Sequence, residues 1–318
     1  MKYPDTKIVA LCGGVGGAKL ALGLNNVLDQ KNLSIITNTG DDFLYLGFYI
    51  CPDIDTVIYT LAGVNNSETG WGREDETWKT LDVLEELGAD TWFKLGDKDL
   101  ALHLFRSKEK RNGEILTTIT RKITNKFGLK THVLPMSNHP VQTFLETEDG
   151  EISFQDYFVR QKCVPKVSNI LFKSKKPVAT DAVKRALSDK NLDGIVFCPS
   201  NPFLSIDPML SIKKIRTLIE NQKKPRVAIS PIVGHDSVKG PTSKLMNEME
   251  IEVSSVSIAK HYKGLIDGII IDENDKKQAG KIKEMGIEVR LSKIIVETKE
   301  EKIRLAEESL EFIQEIAS

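Results

Sequence analysis

Gly13-Gly14-Val15-Gly16-Gly17-Ala18-Lys19 follows directly on an apolar run and opens an amphipathic stretch. Glycines let a backbone approach an anion closely, and the first turn of a helix offers free N–H groups at the positive end of its dipole. A strand, a glycine turn and a helix in that order are therefore suited to holding a phosphate. The spacing is not that of the G-x-x-x-x-G-K loop of nucleoside triphosphatases. Nor is it G-x-G-x-x-G, because Lys19 stands where the third glycine, counted from Gly14, would fall. A tight turn without a ligand is the plain alternative. Asn38-Thr39-Gly40-Asp41-Asp42 places two adjacent carboxylates after a second apolar run. Beside a phosphate site, Asp41 and Asp42 suit a hard cation such as Mg²⁺, which takes one or two carboxylates and keeps phosphate oxygens as its other ligands. A polar loop with a helix cap would look similar.

Four more places carry chemistry of the same kind. In Pro52-Asp53-Ile54-Asp55-Thr56, a cap explains Asp53 but not Asp55, which is free to hold a hydroxyl, a ring N–H or a metal. Lys94-Leu95-Gly96-Asp97-Lys98-Asp99 alternates charges around a glycine, and Trp71 lies between Gly70 and Gly72, where an indole can stack on a planar ring. Trp78 and Trp92 read as core. Ser200-Asn201-Pro202, Ser230-Pro231 and Lys239-Gly240-Pro241 follow apolar runs in the C-terminal half. Ser200, Asn201, Ser230, Lys239 and Gly240 should then face one crevice with Gly13, Gly14, Gly16, Gly17 and Lys19. The five histidines share no zinc spacing, and no covalent nucleophile is indicated.

The elements that must position these residues form an α/β pattern. Short apolar runs at 7–12, 33–37, 194–198, 226–230 and 267–272 alternate with amphipathic stretches, which predicts a doubly wound, Rossmann-like, mostly parallel sheet. In such sheets ligands bind beyond the carboxyl ends of the strands, where the glycine turn, the acidic loop at 38–42 and the C-terminal motifs fall. The chain is expected to be one domain over 1–318. An inserted, mainly helical subdomain is expected over about 53–165, with a short hairpin turning at Asp149-Gly150. With 44 Lys+Arg against 45 Asp+Glu, no net positive charge favours nucleic acid. No stretch reaches the ~20 apolar residues of a membrane span. Cys12, Cys51, Cys163 and Cys198 are too few and too scattered for a disulfide framework, so a cytoplasmic protein is expected.

Taken in order, Gly-Gly-Val-Gly-Gly-Ala-Lys, Asn-Thr-Gly-Asp-Asp, Pro-Asp-Ile-Asp-Thr, Gly-Trp-Gly, Lys-Leu-Gly-Asp-Lys-Asp and Leu-Pro-Met-Ser-Asn resemble the 2-phospho-L-lactate transferases. So do Phe154-Gln155-Asp156-Tyr157, Ser-Asn-Pro, and Ser-Pro-Ile with Lys-Gly-Pro. The resemblance implies a Mg²⁺-dependent phospho-group transferase of coenzyme F-420 biosynthesis. It would move a phospholactyl or phosphoenolpyruvyl group from a guanosine-diphosphate-linked donor to the terminal hydroxyl of the deazaflavin Fo, releasing GMP. It also implies a homodimer, and Fo contacts at Asp55 and Lys94, beside which Trp71 is the candidate stacking residue. Asp42 and Asp55 are the candidate catalytic acids. Two rivals share the glycine-turn opening. A regulatory nucleotide-sugar-binding protein of the same fold would carry an Ala-Asp-Asp-Gly-Gly type of acidic loop, whereas here Phe43 follows Asp42. A nicotinamide dehydrogenase would carry an acid where Asn38 stands.

Overall fold

The computed structural model describes residues 2–238 and 240–318, so Lys239 lies outside the described residues. In chain order the strands are β1 (Ile8–Cys12), β2 (Leu33–Thr37), β3 (Phe43–Tyr45), β4 (Phe48–Ile50), β5 (His132–Pro135), β6 (Gln142–Thr147), β7 (Gly150–Ser153), β8 (Val167–Lys173), β9 (Gly194–Phe197), β10 (Arg226–Ile229), β11 (Ile232–Val233), β12 (Asp236–Ser237), β13 (Gly268–Asp272) and β14 (Glu288–Ser292). Five helices matter for the site: α1 (Gly14–Val27), α2 (Pro52–Ala62), α3 (Lys79–Glu86), α4 (Asp97–Arg111) and α5 (Leu116–Lys126).

Seven strands form one parallel sheet in the order β14-β13-β10-β9-β1-β2-β5. Every residue of β1 is buried because both faces of the sheet are covered. Ile8, Ala10 and Cys12 enter one apolar cluster with α1, α2, α5 and the C-terminal helix Lys299–Ala317, while Val9 and Leu11 enter the other. That double covering is why the strand reads as an unbroken apolar run instead of an alternation. From β1 the chain winds one way, to β2 and β5. It returns on the other side at β9 and continues outward to β14, so the direction of winding reverses between β1 and β9. The loops after these two strands, at Gly13 and Ser200, are therefore the two lips of the crevice.

Four parts differ from the pattern in the sequence. Helix α1 begins at Gly14, so most of the glycine stretch lies inside the helix and only Gly13 stands before it. The stretch 53–165 is helical in α2–α5 as expected, yet it also supplies β5, which pairs with β2 as an edge of the main sheet. The hairpin turning at Asp149-Gly150 is β6–β7, and β8 extends it to three antiparallel strands. Strand β14 carries Glu288 and Arg290 on an edge position and has no apolar run to announce it.

The charged turn at 94–99 is a reciprocal helix cap. Glu76, ahead of α3, accepts the Lys98 and Asp99 amides of α4, both at 2.8 Å. Asp97, in α4, accepts the Lys79 and Thr80 amides of α3 at 3.2 and 3.1 Å. Hydrogen bonds from Thr77 and Thr80 draw the Asp97 carboxyl down to about 2. A Cβ on Gly96 would overlap the Glu76 carboxylate, so the glycine in this turn is a packing requirement.

Candidate functional site

The crevice is pinned by three side chains. Ser200 Oγ accepts the Gly13 N–H at 3.0 Å and donates to the Gly13 carbonyl at 2.8 Å, tying the loops after β9 and β1 together. Asp53 does not cap its own helix, whose N-cap is Cys51. Its Oδ1 instead accepts the Gly14 N–H at 2.7 Å, and its Oδ2 accepts from Asn38 Nδ2 at 3.0 Å. Asn38 Oδ1 in turn accepts the Gly40 N–H at 2.7 Å, which folds the acidic loop back on itself. Each lip is thus held by a polar side chain from another.

The glycines divide by role. A Cβ at Gly16 would lie 2.8 Å from the Pro199 carbonyl oxygen. At Gly17 it would meet Ser200 Oγ and lie 2.9 Å from Cys12 Sγ, and at Gly13 it would lie 2.6 Å from Asp53 Oδ2. These three glycines let α1 press against the end of β9 and the start of α2. Gly14 differs: its φ is +65° and open space surrounds the position its Cβ would take. The amides of Val15 and Gly16, in the first turn, have no carbonyl within the helix to accept them. Gly17→Ala should therefore destabilise the fold by about 1–3 kcal/mol through overpacking. The check is denaturant unfolding, and a midpoint equal to wild type would show that α1 can move away from Ser200.

Three carboxylates crowd the acidic side of the crevice. Asp41, Asp42 and Asp53 are each at most 6% exposed. Burial raises Asp53 to about 6 against the pull of Asn38 and the Gly14 amide. Burial raises Asp42 to about 8, opposed by the Cys51 thiol, which donates to Asp42 Oδ2 at 3.2 Å, and by Arg106. Asp41 is pushed well up by burial and then by its neighbour Asp53. Asp41 Oδ1 and Asp42 Oδ1 are buried without a hydrogen-bond partner among the described residues. Oxygen donors that are desolvated, adjacent and unpartnered fit a small divalent cation, because the cation offsets the cost of ionising buried carboxyls.

A second cluster carries its own cation. Arg106, fully buried on α4, donates to both oxygens of Asp55, the Oδ2 contact being 2.9 Å. Burial raises the Asp55 carboxyl, and Arg106 and His103 oppose that rise. His103 Nδ1 is 3.2 Å from the guanidinium and its Nε2 3.4 Å from Asp99, whose carboxylate accepts from the Tyr59 hydroxyl at 2.6 Å. Asp55, Asp99 and His103 converge closely enough to hold a metal. The guanidinium already fills that electrostatic role at Asp55. With both its oxygens taken, Asp55 is a poorer proton acceptor than Asp42, the other acid singled out in the sequence. Sequence reasoning passed over Arg106 as one more base on a charged helix. The signal was the spacing Asp99, His103, Arg106, which puts the three on one helical face.

Beside the acidic loop opens a cavity of about 510 Å³. Phe43, Tyr49 and Trp92 supply aromatic wall, Gln155 and Asp156 line it from beyond β7, and Asp42 reaches it from the acidic loop. Phe43, Tyr45, Trp92 and Phe93 pack edge-on or tilted against one another, with centroids 4.9–6.2 Å apart. Trp92 is thus both core and cavity wall, whereas Trp78, expected in the core, is 37% exposed ahead of α3. Lys94 is exposed two residues beyond Trp92. Trp71 is 47% exposed in the turn held by Asn66 and is not among the residues that line the cavity.

On the β9–β10 side, Asn201 Oδ1 caps the turn at Phe203 and Leu204, leaving Nδ2 buried and unpartnered among the described residues. Ser230 is fully buried and its hydroxyl is taken by Ser255 Oγ at 2.9 Å and the Ile232 amide at 3.1 Å, so it shapes the turn and offers no surface to a ligand. Lys19 Nζ pairs with Glu297 at 2.6 Å. Gly240 is exposed, with φ +75°.

A parallel sheet with a glycine turn, a buried acidic loop and an aromatic cavity at its switch point is the framework of an α/β enzyme. The family model described as "2-phospho-L-lactate transferase CofD" matches residues 8–310, and the chain belongs to that family of transferases. A 2-phospho-L-lactate transferase of Methanocaldococcus jannaschii is 36% identical over 96% of this chain and 97% of its own length. A phosphoenolpyruvate transferase of Streptomyces griseus is 35% identical over 98% of this chain and 99% of its own. In fold, the chain is similar to a solved UPF0052-family protein of Bacillus halodurans, with a TM-score of 0.66 at 17% identity over 98% of this chain and all of that one. No helix among the described residues is long and apolar enough to cross a membrane.

Proposed function

We propose that this protein transfers a phospholactyl or phosphoenolpyruvyl group from its guanosine-diphosphate-linked form to the terminal hydroxyl of the deazaflavin Fo in coenzyme F-420 biosynthesis, with GMP as the leaving group. The carrying observation is Asp42: a buried carboxylate, unpartnered at Oδ1, that reaches an aromatic-walled cavity next to the switch-point crevice. The relatives' names supply both transferred groups.

In this reading the ring of Fo occupies the cavity against Phe43, Tyr49 and Trp92, with Lys94 and Asp55 as the acceptor-side residues. The donor diphosphate lies on the Gly14 turn, where the Val15 and Gly16 amides face it, and Asn201 Nδ2, Gly240 and Lys239 serve the nucleotide side. The alcohol oxygen attacks the phosphorus that carries the transferred group, the bond to the GMP oxygen breaks, and the alcohol proton passes to Asp42. Asp41 and Asp42 would hold Mg²⁺, which when bound would neutralise charge on the diphosphate and the departing GMP. The rest is positioning, as for other phosphoryl transfers. A cytoplasmic homodimer belongs to the same proposal.

The test is incubation with Fo, Mg²⁺ and each guanylylated donor, followed by mass spectrometry for GMP and the phosphodiester of Fo. Product with one donor establishes the reaction and its donor together. Folded protein that gives no product with either donor rules the reading out.

A further inference from the structure

We propose that Gln155 selects the acceptor by accepting a hydrogen bond from the imide N–H of a planar heterocycle bound in the aromatic cavity. The inference rests on the reading of that cavity as the acceptor site, and it names what the site recognises.

Gln155 is 5% exposed and lines the cavity together with the aromatic residues. Its Nε2 donates to the Asp41 carbonyl at 3.2 Å. That contact decides which way the amide faces, because turning it over would set two carbonyl oxygens against each other. Oε1 is left as an acceptor, and no group among the described residues donates to it. Gln142 also lines the cavity but is exposed, so nothing fixes its amide.

A heterocycle stacked on Phe43, Tyr49 or Trp92 satisfies its faces and leaves its edge to be paired. The imide edge of a deazaflavin carries one N–H between two carbonyls, and a fixed acceptor is complementary to that N–H. Sites built around a hydrogen bond reject analogues that lack it, because the polar group of the protein is then left unpaired. The same side chain holds the backbone of Asp41, so the residue that recognises the ring also braces the acidic loop.

The experiment compares Fo with its imide N-methyl analogue as acceptors, using wild type and Gln155→Met, and reads KM for each acceptor, KM for the donor, and binding of each acceptor alone by its fluorescence. Wild type should show a KM for the N-methyl compound at least tenfold above that for Fo. Gln155→Met should raise the KM for Fo about tenfold or more and remove the preference between the two acceptors. A general loss of structure would weaken both acceptors alike and keep their ratio. Wild type that uses both compounds equally well overturns the assignment, whether or not the variant folds. So does a variant that retains the preference. Wild type that neither binds nor uses Fo overturns the functional reading and this assignment together, which separates the two failures.

Discussion

Asp42→Asn is expected to lower turnover by about a thousandfold, within the 10²–10⁴ range of a lost general base, while the folded protein becomes no less stable. Asparagine keeps the shape of the side chain and its contact with Cys51, and removes only the charge and the basicity. The stability half follows from the titration. Asp42 is held at about 8 and Asp53 at about 6, whereas an unfolded aspartate ionises near 3.9. Between those values the folded chain keeps protons that the unfolded chain releases. The stability these groups contribute is complete below about pH 4 and is lost as pH rises through 6 and then 8. In chelator, the unfolding midpoint of wild type should therefore fall between pH 5 and pH 8.5, and Asp42→Asn should flatten the upper part of that fall. Added Mg²⁺ should raise the wild-type midpoint most at the alkaline end, since a cation bound only by the folded state stabilises it. Turnover within tenfold of wild type would remove Asp42 from the chemistry. A pH profile unchanged by the substitution would remove it from the buried charge.

The parallel sheet and its crevice were legible because their physics is local. A strand covered on both faces must be apolar at every position, and a strand that ends at its ligand side must do so in residues that turn. Ile8–Cys12 followed by glycines shows both. The division of labour within the motifs was not legible. Gly13, Gly16 and Gly17 look like a phosphate cradle in sequence, but what requires glycine there is the proximity of Asp53, Pro199 and Ser200, set by the meeting of α1, α2 and the end of β9. Asp53 looks like a cap for its own helix and caps α1 instead. The charged turn at 94–99 looks like a binding loop, and its acids hold two helix ends together. In each case a residue announces that it needs a particular neighbour, and sequence order does not say which distant element supplies it. The cavity was least legible, since its walls come from β3, β4, the segment before α4 and the segment after β7.

Arg106→Met should destabilise the protein by about 3–5 kcal/mol, the usual consequence of removing one partner of a buried ion pair and leaving the other charged. Asp55 is 4% exposed and takes both its hydrogen bonds from this guanidinium, and water has no route to replace them. Asp55→Asn should be damaging in turn, because it leaves a buried guanidinium half-paired. The double variant should be better than the sum of the two, since methionine and asparagine leave no uncompensated charge. Denaturant unfolding of the four proteins closes the cycle, and additive losses would show that the pair is not coupled. The pair also bears on the cavity. Arg106 reaches the Tyr49 carbonyl at 3.4 Å, and the neighbouring Ser107 Oγ accepts the Tyr49 N–H at 2.7 Å, so α4 grips β4 at the residue whose ring forms cavity wall. Arg106→Met should accordingly raise KM for the proposed deazaflavin acceptor more than KM for the nucleotide donor, which the proposed reading puts on the glycine turn at the other side of the acidic loop. Equal rises in both would mean that the loss is one of global structure, and that Asp55 and Arg106 support the fold without shaping the acceptor site.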